Sequence, residues 1–159
     1  MEVRVGISDM NVVKQPEKLI TIGLGSCIGI ALYDKITTIS GLSHIMLPMS
    51  YQFSNISNPY KFADLAIPLL VEKMVAMGSR KVNITAKLAG GASMFNFTDK
   101  SLNLDIGERN IKAVIDILEQ QNISITSMDV GGSKGRTMIL DSFDGSVQIK
   151  TVGSGITVI

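Results

Sequence analysis

Cys27-Ile28-Gly29-Ile30-Ala31-Leu32-Tyr33 is followed by Asp34-Lys35-Ile36-Thr37 and then by Thr38-Ile39-Ser40-Gly41-Leu42-Ser43-His44-Ile45-Met46. The first run reads as a strand with Ile28, Ile30 and Leu32 on one face. Asp34-Lys35 signals a turn, and Thr37 to Met46 reads as the returning strand. With Asp34 to Thr37 as a four-residue loop, Tyr33 pairs with Thr38. Cys27 is then opposite His44 on the same face, with Cβ atoms roughly 4.5–5.5 Å apart. A slip of one residue sends His44 to the other face. The register matters because the chain contains one cysteine and one histidine.

Upstream, Val3 to Ile7 reads as an opening strand and Asn11 to Lys18, with Pro16, as a loop. Leu19 to Ile22 is a short β-branched run ending in the bend Thr21-Ile22-Gly23-Leu24-Gly25-Ser26-Cys27. Downstream, Met49 to Asn58 is polar and loop-like. Asn58-Pro59 starts a helix, with Asn58 as cap and Pro59 in the first turn. Phe62 to Met77 continues it to a stop at Gly78, and Pro68 is expected to kink or split it.

Val82 to Leu88 reads as a strand leading into Ala89-Gly90-Gly91-Ala92-Ser93-Met94-Phe95. Asp105 caps a second helix, with Glu108 three residues on. Its apolar stripe is Ile111, Val114, Ile115 and Leu118. Ile123–Val130, Arg136–Leu140, Val147–Val152 and Ile156–Ile159 read as strands between Gly-rich turns. Two helices among many strands give an α+β class, and residues 1–159 read as one domain.

Composition removes several function classes. The 159 residues are 45% hydrophobic and 18% charged, with a net charge of +1. That balance offers no electrostatic case for nucleic acid, and 5% aromatics without Trp offer no stacking platform. A single Cys excludes an internal disulfide. One Cys and one His, without ligand spacing, give no expectation of a metal or cofactor. The N-terminus lacks a signal-peptide pattern and no apolar run reaches eighteen residues, so the expectation is a soluble, cytoplasmic protein.

The glycines around Cys27 fit two familiar loops badly. In Gly23-x-Gly25-x-x-x-Gly29, Ile28 takes the place of the third glycine of a dinucleotide fingerprint. No Gly-Lys-Ser/Thr follows, so it is not a phosphate loop. A tight bend at Gly23 and Gly25 can instead turn backbone N–H groups of Gly25 and Ser26 toward one point, as an oxyanion hole needs. Those donors and a protonated imidazole would lower the thiol pKa, with His44 as the base. Thr21 could orient that imidazole, as could Ser26 or Ser43. The bland alternatives are a buried small thiol, an interior histidine and a turn.

These residues resemble the chemoreceptor glutamine deamidase family, CheD, of bacterial chemotaxis. The resemblance lies in Thr-Ile-Gly-Leu-Gly-Ser-Cys (21–27), Leu-Ser-His-Ile-Met-Leu-Pro (42–48) and Lys-Leu-Ala-Gly-Gly-Ala-Ser-Met-Phe (87–95). It extends to Ile-Gly-Glu-Arg-Asn (106–110) and Gly-Gly-Ser-Lys-Gly-Arg (131–136). It implies a cysteine hydrolase that converts receptor glutamine side chains to glutamate and releases ammonia, without cofactor. The family's Cys, His and Thr fall on Cys27, His44 and Thr21. The implied fold has two mixed β-sheets flanked by helices, similar to the catalytic domains of deamidating toxins. The implied partners are the cytoplasmic helical region of chemoreceptors and a CheC-type phosphatase, with no membrane insertion of its own. The alternatives are a binding regulator of that phosphatase with weak catalysis, or a thiol hydrolase acting on receptor methyl esters.

Overall fold

A computed structural model describes residues 1–93 and 105–159, so Met94, Phe95 and Asn96 of the glycine-rich motif and its neighbourhood lie outside the described residues. In chain order the strands are β1 (Glu2–Arg4), β2 (Asp9–Lys14), β3 (Lys18–Leu24), β4 (Ile28–Asp34) and β5 (Ile39–Ile45). Then come α1 (Ala63–Met77), β6 (Ile84–Gly90), α2 (Ile106–Gln120), β7 (Ser124–Val130), β8 (Arg136–Asp141), β9 (Val147–Thr151) and β10 (Gly155–Val158).

The strands form two mixed sheets. One has the order β1-β3-β8-β9-β10 and the other β2-β5-β4-β6-β7. The parallel pairs are β1 with β3 and β6 with β7. This is the two-sheet α+β arrangement expected from the family resemblance. Among the described residues, no helix is long and apolar enough to cross a membrane.

Alternation along the central strands builds two cores. Ile28, Ile30 and Leu32 of β4 and Ile39 and Ile45 of β5 pack with Ala66, Ile67, Leu70 and Met74 of α1 and Val114 and Leu118 of α2. The opposite face carries Ala31 and Leu42, which meet Leu19, Leu24, Met138, Leu140, Val147 and Ile149 of the first sheet. The second sheet is therefore a middle layer, covered by helices on one side and by the first sheet on the other. Close approach is enforced at Gly29, where an added Cβ would sit 2.6 Å from Met138 Sδ of the facing sheet.

The hairpin forms in a different register from the one expected. Asp34 pairs with Ile39, Tyr33 with Ser40 and Gly29 with His44. Thr38 is inside the turn with φ of 60° and is not the first residue of the returning strand. Asp34 fixes that turn: its Oδ1 accepts from the N–H of Ile36 at 2.9 Å and of Thr37 at 3.2 Å. Its carbonyl also accepts from the Thr38 N–H at 2.8 Å. Directly opposite His44 is Gly29, and Cys27 precedes the strand. Because the loop moved as a whole by one residue on each arm, side-chain parity is kept and His44 stays on the expected face.

Other boundaries differ as well. The stretch read as a loop from Asn11 contains most of β2, an edge strand with only Met10 and Val13 fully buried. Its solvent-facing Asp9, Asn11 and Lys14 hide the strand pattern; the turn begins after Lys14. The opening strand stops at Arg4, short of Ile7. Asn58 caps a separate 3-10 turn, Pro59–Lys61. α1 then runs uninterrupted through Pro68, which is not among its buried positions. The Asp105 cap forms as expected, its Oδ1 accepting from Glu108 N–H at 3.2 Å. Gly78 ends α1 with φ of 122°.

Candidate active site

His44 is wholly buried between the two sheets. It follows Leu42 by two residues on β5, so its ring shares the face that packs on the first sheet. There Thr21 of β3, also wholly buried, is 2.7 Å from His44 Nδ1 through its Oγ. The same hydroxyl is 2.8 Å from the Val5 carbonyl. A carbonyl can only accept, so the Thr21 O–H donates to Val5 and its oxygen accepts from His44 Nδ1–H. That assignment fixes the tautomer and leaves Nε2 as a bare lone pair. Among the described residues Nε2 has no hydrogen-bond partner.

Cys27 is a half-buried free thiol packed against the inter-sheet core, the layer that also contains the imidazole. It ends the bend of residues 25–27 that joins β3 to β4, just past a register shift between Thr21 and Leu24 of β3. Gly23, with φ of 81°, accommodates that shift. The three carbonyls of the bend are held from one side. Ala92 N–H donates to Gly25 O and Gly91 N–H to Cys27 O, each at 2.8 Å, and Asn110 Nδ2 donates to Ser26 O at 2.9 Å. In a trans peptide the carbonyl and the following N–H point oppositely. The N–H groups of Ser26 and Cys27 are thus turned away from α2 and the Gly91-Ala92 corner. Gly25 N–H is engaged within the bend, 3.1 Å from Gly23 O, which leaves the N–H groups of Ser26 and Cys27 without a backbone partner among the described residues and available as donors to a bound group.

The Gly90-Gly91 corner is a tight support for this bend. An added Cβ at Gly90 would collide with Cys27 O, and φ there is 110°. Arg136, almost entirely buried, donates from Nη1 to Gly90 O at 3.0 Å and from Nη2 to Gly131 O at 2.6 Å. Its Nε stands 3.4 Å from Asp129 Oδ1. Asn110, Arg136 and the Val5 carbonyl were not singled out from the sequence. Asn110 had a usable signal: it lies four residues before Val114, on the helix face that is otherwise apolar. Ser43 is buried on the opposite face of β5, and its Oγ has no partner among the described residues. Also among the described residues, no three His, Cys, Asp or Glu side chains come together as metal ligands would.

The electrostatics differ from the sequence expectation of a thiolate beside an imidazolium. Burial pushes the Cys27 thiol above its ordinary value, opposed more weakly by its own backbone N–H. Burial also lowers His44, to about 4. Near neutrality the pair is therefore a thiol and a neutral imidazole, and the proton must move during reaction. Iodoacetamide alkylation of Cys27 is accordingly expected to be slow at neutral pH and to rise through a midpoint above 9.0, the ordinary thiol value. A midpoint near neutrality would show a preformed thiolate.

The buried imidazole has a second measurable consequence. It titrates at 6.5 ordinarily and at about 4 in the fold, so between these values the unfolded chain holds the extra proton. Stability is then complete above pH 6.5 and is lost as pH falls toward 4, by on the order of 3 kcal/mol. Denaturant unfolding across this range should show the loss in the parent protein, and His44→Gln should remove that part of the slope. Parallel curves would contradict the burial argument.

A family model described as CheD chemotactic sensory transduction matches residues 46–151, beginning two residues after His44. A Clostridium botulinum protein (strain Eklund 17B, type B) named "Probable chemoreceptor glutamine deamidase CheD" is 63% identical over 155 residues, covering 98% of this chain and 96% of the relative. A protein of the same name from Clostridium novyi (strain NT) is 63% identical over 158 residues, covering 99% and 98%. Another from Clostridium acetobutylicum is 59% identical over 155 residues, covering 98% and 93%. Among solved structures, hypothetical protein YfiH of Bacillus licheniformis aligns with a TM-score of 0.48 at 13% identity, over 79% of this chain and 50% of that one.

Proposed function

The chain belongs to the CheD chemotactic sensory transduction family, and from that premise we propose that it deamidates glutamine side chains of chemoreceptors through Cys27, His44 and Thr21. The substrate class is taken from the names of the relatives. The observation that carries the mechanism is the Thr21 hydroxyl, whose bonds to Val5 O and His44 Nδ1 leave Nε2 bare.

In this reading His44 Nε2 takes the Cys27 proton as the sulfur attacks the amide carbon of the glutamine side chain. The C=O π pair moves to oxygen, and the N–H groups of Ser26 and Cys27 stabilise that oxyanion. The imidazolium then passes its proton to the departing nitrogen, the C–N bond breaks, and ammonia leaves a thioester on Cys27. His44 next takes a proton from water, whose oxygen attacks the thioester. Collapse restores the thiol and releases glutamate. The net change is one water consumed and one ammonia formed. Thr21 holds Nδ1–H throughout, so both transfers use the same nitrogen.

The test incubates the full chain with a purified receptor cytoplasmic fragment. Amide-to-acid conversion by mass spectrometry and stoichiometric ammonia are expected. An unchanged glutamine form, or turnover only of the methyl-glutamate form, would overturn the reading. The cytoplasmic location rests on the sequence pattern, and a CheC-type phosphatase partner on the family resemblance alone.

A further inference from the structure

We propose that Asn110 is a positioning residue of this site: it holds the Ser26–Cys27 peptide unit so that the Cys27 N–H is turned outward as an oxyanion donor, and it ties that unit to the end of the strand carrying His44. The proposal rests on the thiol-hydrolase reading and names a residue through which the site is kept in shape.

Asn110 is wholly buried, beside the buried Ala113, Val114 and Ile117 of α2. A buried carboxamide costs stability unless its hydrogens find acceptors. Both do: Nδ2 donates to Ser26 O and to Met46 O, each at 2.9 Å. These carbonyls belong to residues just outside the hairpin, since β4 begins at Ile28 and β5 ends at Ile45. Extending the register one step would place Cys27 opposite Met46. The ladder stops there, and the carboxamide of α2 bridges the two arms. One side chain thus links the nucleophile bend to the residue two beyond His44.

The middle of the three anchored carbonyls is the one that sets the Cys27 N–H. Its neighbours, Gly25 O and Cys27 O, are held by backbone N–H groups of Ala92 and Gly91. Only the Ser26 carbonyl depends on a side chain. Loss of that anchor allows the intervening peptide plane to rotate while the flanking bonds persist, and rotation would carry the Cys27 N–H away from both the sulfur and the oxyanion. Asn110 Oδ1 has no partner among the described residues. The group therefore contributes as a double donor and not as a fully satisfied core amide. α2 reaches the bend closely because Gly107 has no side chain: a Cβ there would lie 2.6 Å from Ala92 O.

Asn110→Leu keeps nearly the shape and removes both donors; Asn110→Ala removes the group. For each, kcat on the receptor glutamine fragment is expected to fall about 10²-fold, the scale of one lost oxyanion donor, with KM changed less than about threefold. The pH midpoint of Cys27 alkylation by iodoacetamide should move upward, measured well below the variant's unfolding temperature. A variant that is merely less stable, with parental kcat and midpoint, overturns the proposal. If the parent does not deamidate the fragment, the proposed function fails, while the alkylation midpoint still decides Asn110 because it needs no substrate. If neither variant folds, amide exchange in the parent decides: slow exchange of the Asn110 side-chain protons supports the clamp, and exchange at the rate of an exposed carboxamide overturns it.

Discussion

Cys27→Ala is expected to reduce receptor glutamine turnover to background, a loss of about 10⁴-fold or more in kcat. Removing the nucleophile of a thiol or hydroxyl hydrolase eliminates the covalent route, and His44 cannot compensate by activating water at the same rate. The variant should fold, because Cys27 is half-buried at the margin of the inter-sheet core and Ala leaves its backbone contacts intact. Those contacts, Gly91 N–H to Cys27 O and Asn110 Nδ2 to Ser26 O, use no sulfur. The receptor fragment should therefore still bind, and an unchanged dissociation constant beside lost turnover is the diagnostic pair. Cys27→Ser tests the same step more sharply. It keeps a nucleophilic atom at position 27 but one far harder to deprotonate, so turnover should remain near background. Amide-to-acid conversion at more than about a tenth of the parental rate in Cys27→Ala would remove the thiol from the mechanism.

The neutral thiol–imidazole pair also sets how pH should act on turnover. His44 is held at about 4, so the base remains available through mildly acidic conditions. An enzyme built on a preformed thiolate–imidazolium pair would instead need the imidazole protonated. This distinction was not legible in the sequence. Residue identity suggested that Cys27 and His44 would raise each other's charge, whereas the deciding quantity is desolvation. Desolvation depends on the inter-sheet location of His44, and that location follows from strands more than ninety residues apart in sequence, β5 and β8 among them.

What could be read locally was the chemistry of turns, caps and strand faces. The Asp34 turn, the Asp105 cap and the Gly78 stop form from short-range bonds, and their signals lie within three or four residues. The face of His44 also followed from period-two alternation and survived a loop displaced by one residue on each arm. The opposition of Cys27 and His44 did not survive, because the same displacement puts Gly29 across from His44. β2 was missed for a related reason. An edge strand exposes alternate polar residues and so resembles a loop, and its identity comes from pairing with β5. Thr21 could not be separated from Ser26 or Ser43 by spacing. In the fold, Ser43 faces away from the first sheet, while Thr21 reaches Nδ1 from that sheet.

Thr21→Val is the decisive change for that assignment. Valine has nearly the volume of threonine and suits a β-strand, so the wholly buried position should remain filled. What disappears is one hydroxyl with two bonds, to Val5 O at 2.8 Å and from His44 Nδ1 at 2.7 Å. Two buried polar groups are then left without partners, at a cost of about 1–3 kcal/mol in unfolding free energy. The larger effect should be on kcat. Without an acceptor at Nδ1, the imidazole can keep its proton on Nε2, which presents an N–H to the thiol where a lone pair is required. Replacing the group that fixes the tautomer of a catalytic histidine lowers kcat by up to about 10⁴-fold. A neutral hydroxyl stabilises the imidazolium less than a carboxylate does, so a fall of about 10²–10³-fold is expected, with KM nearly constant. Thr21→Ser restores the oxygen and should recover most of the rate. A Thr21→Val protein that is less stable but retains the parental kcat would show that Thr21 only packs the interface, and the orientation of His44 would then have to come from the strand itself.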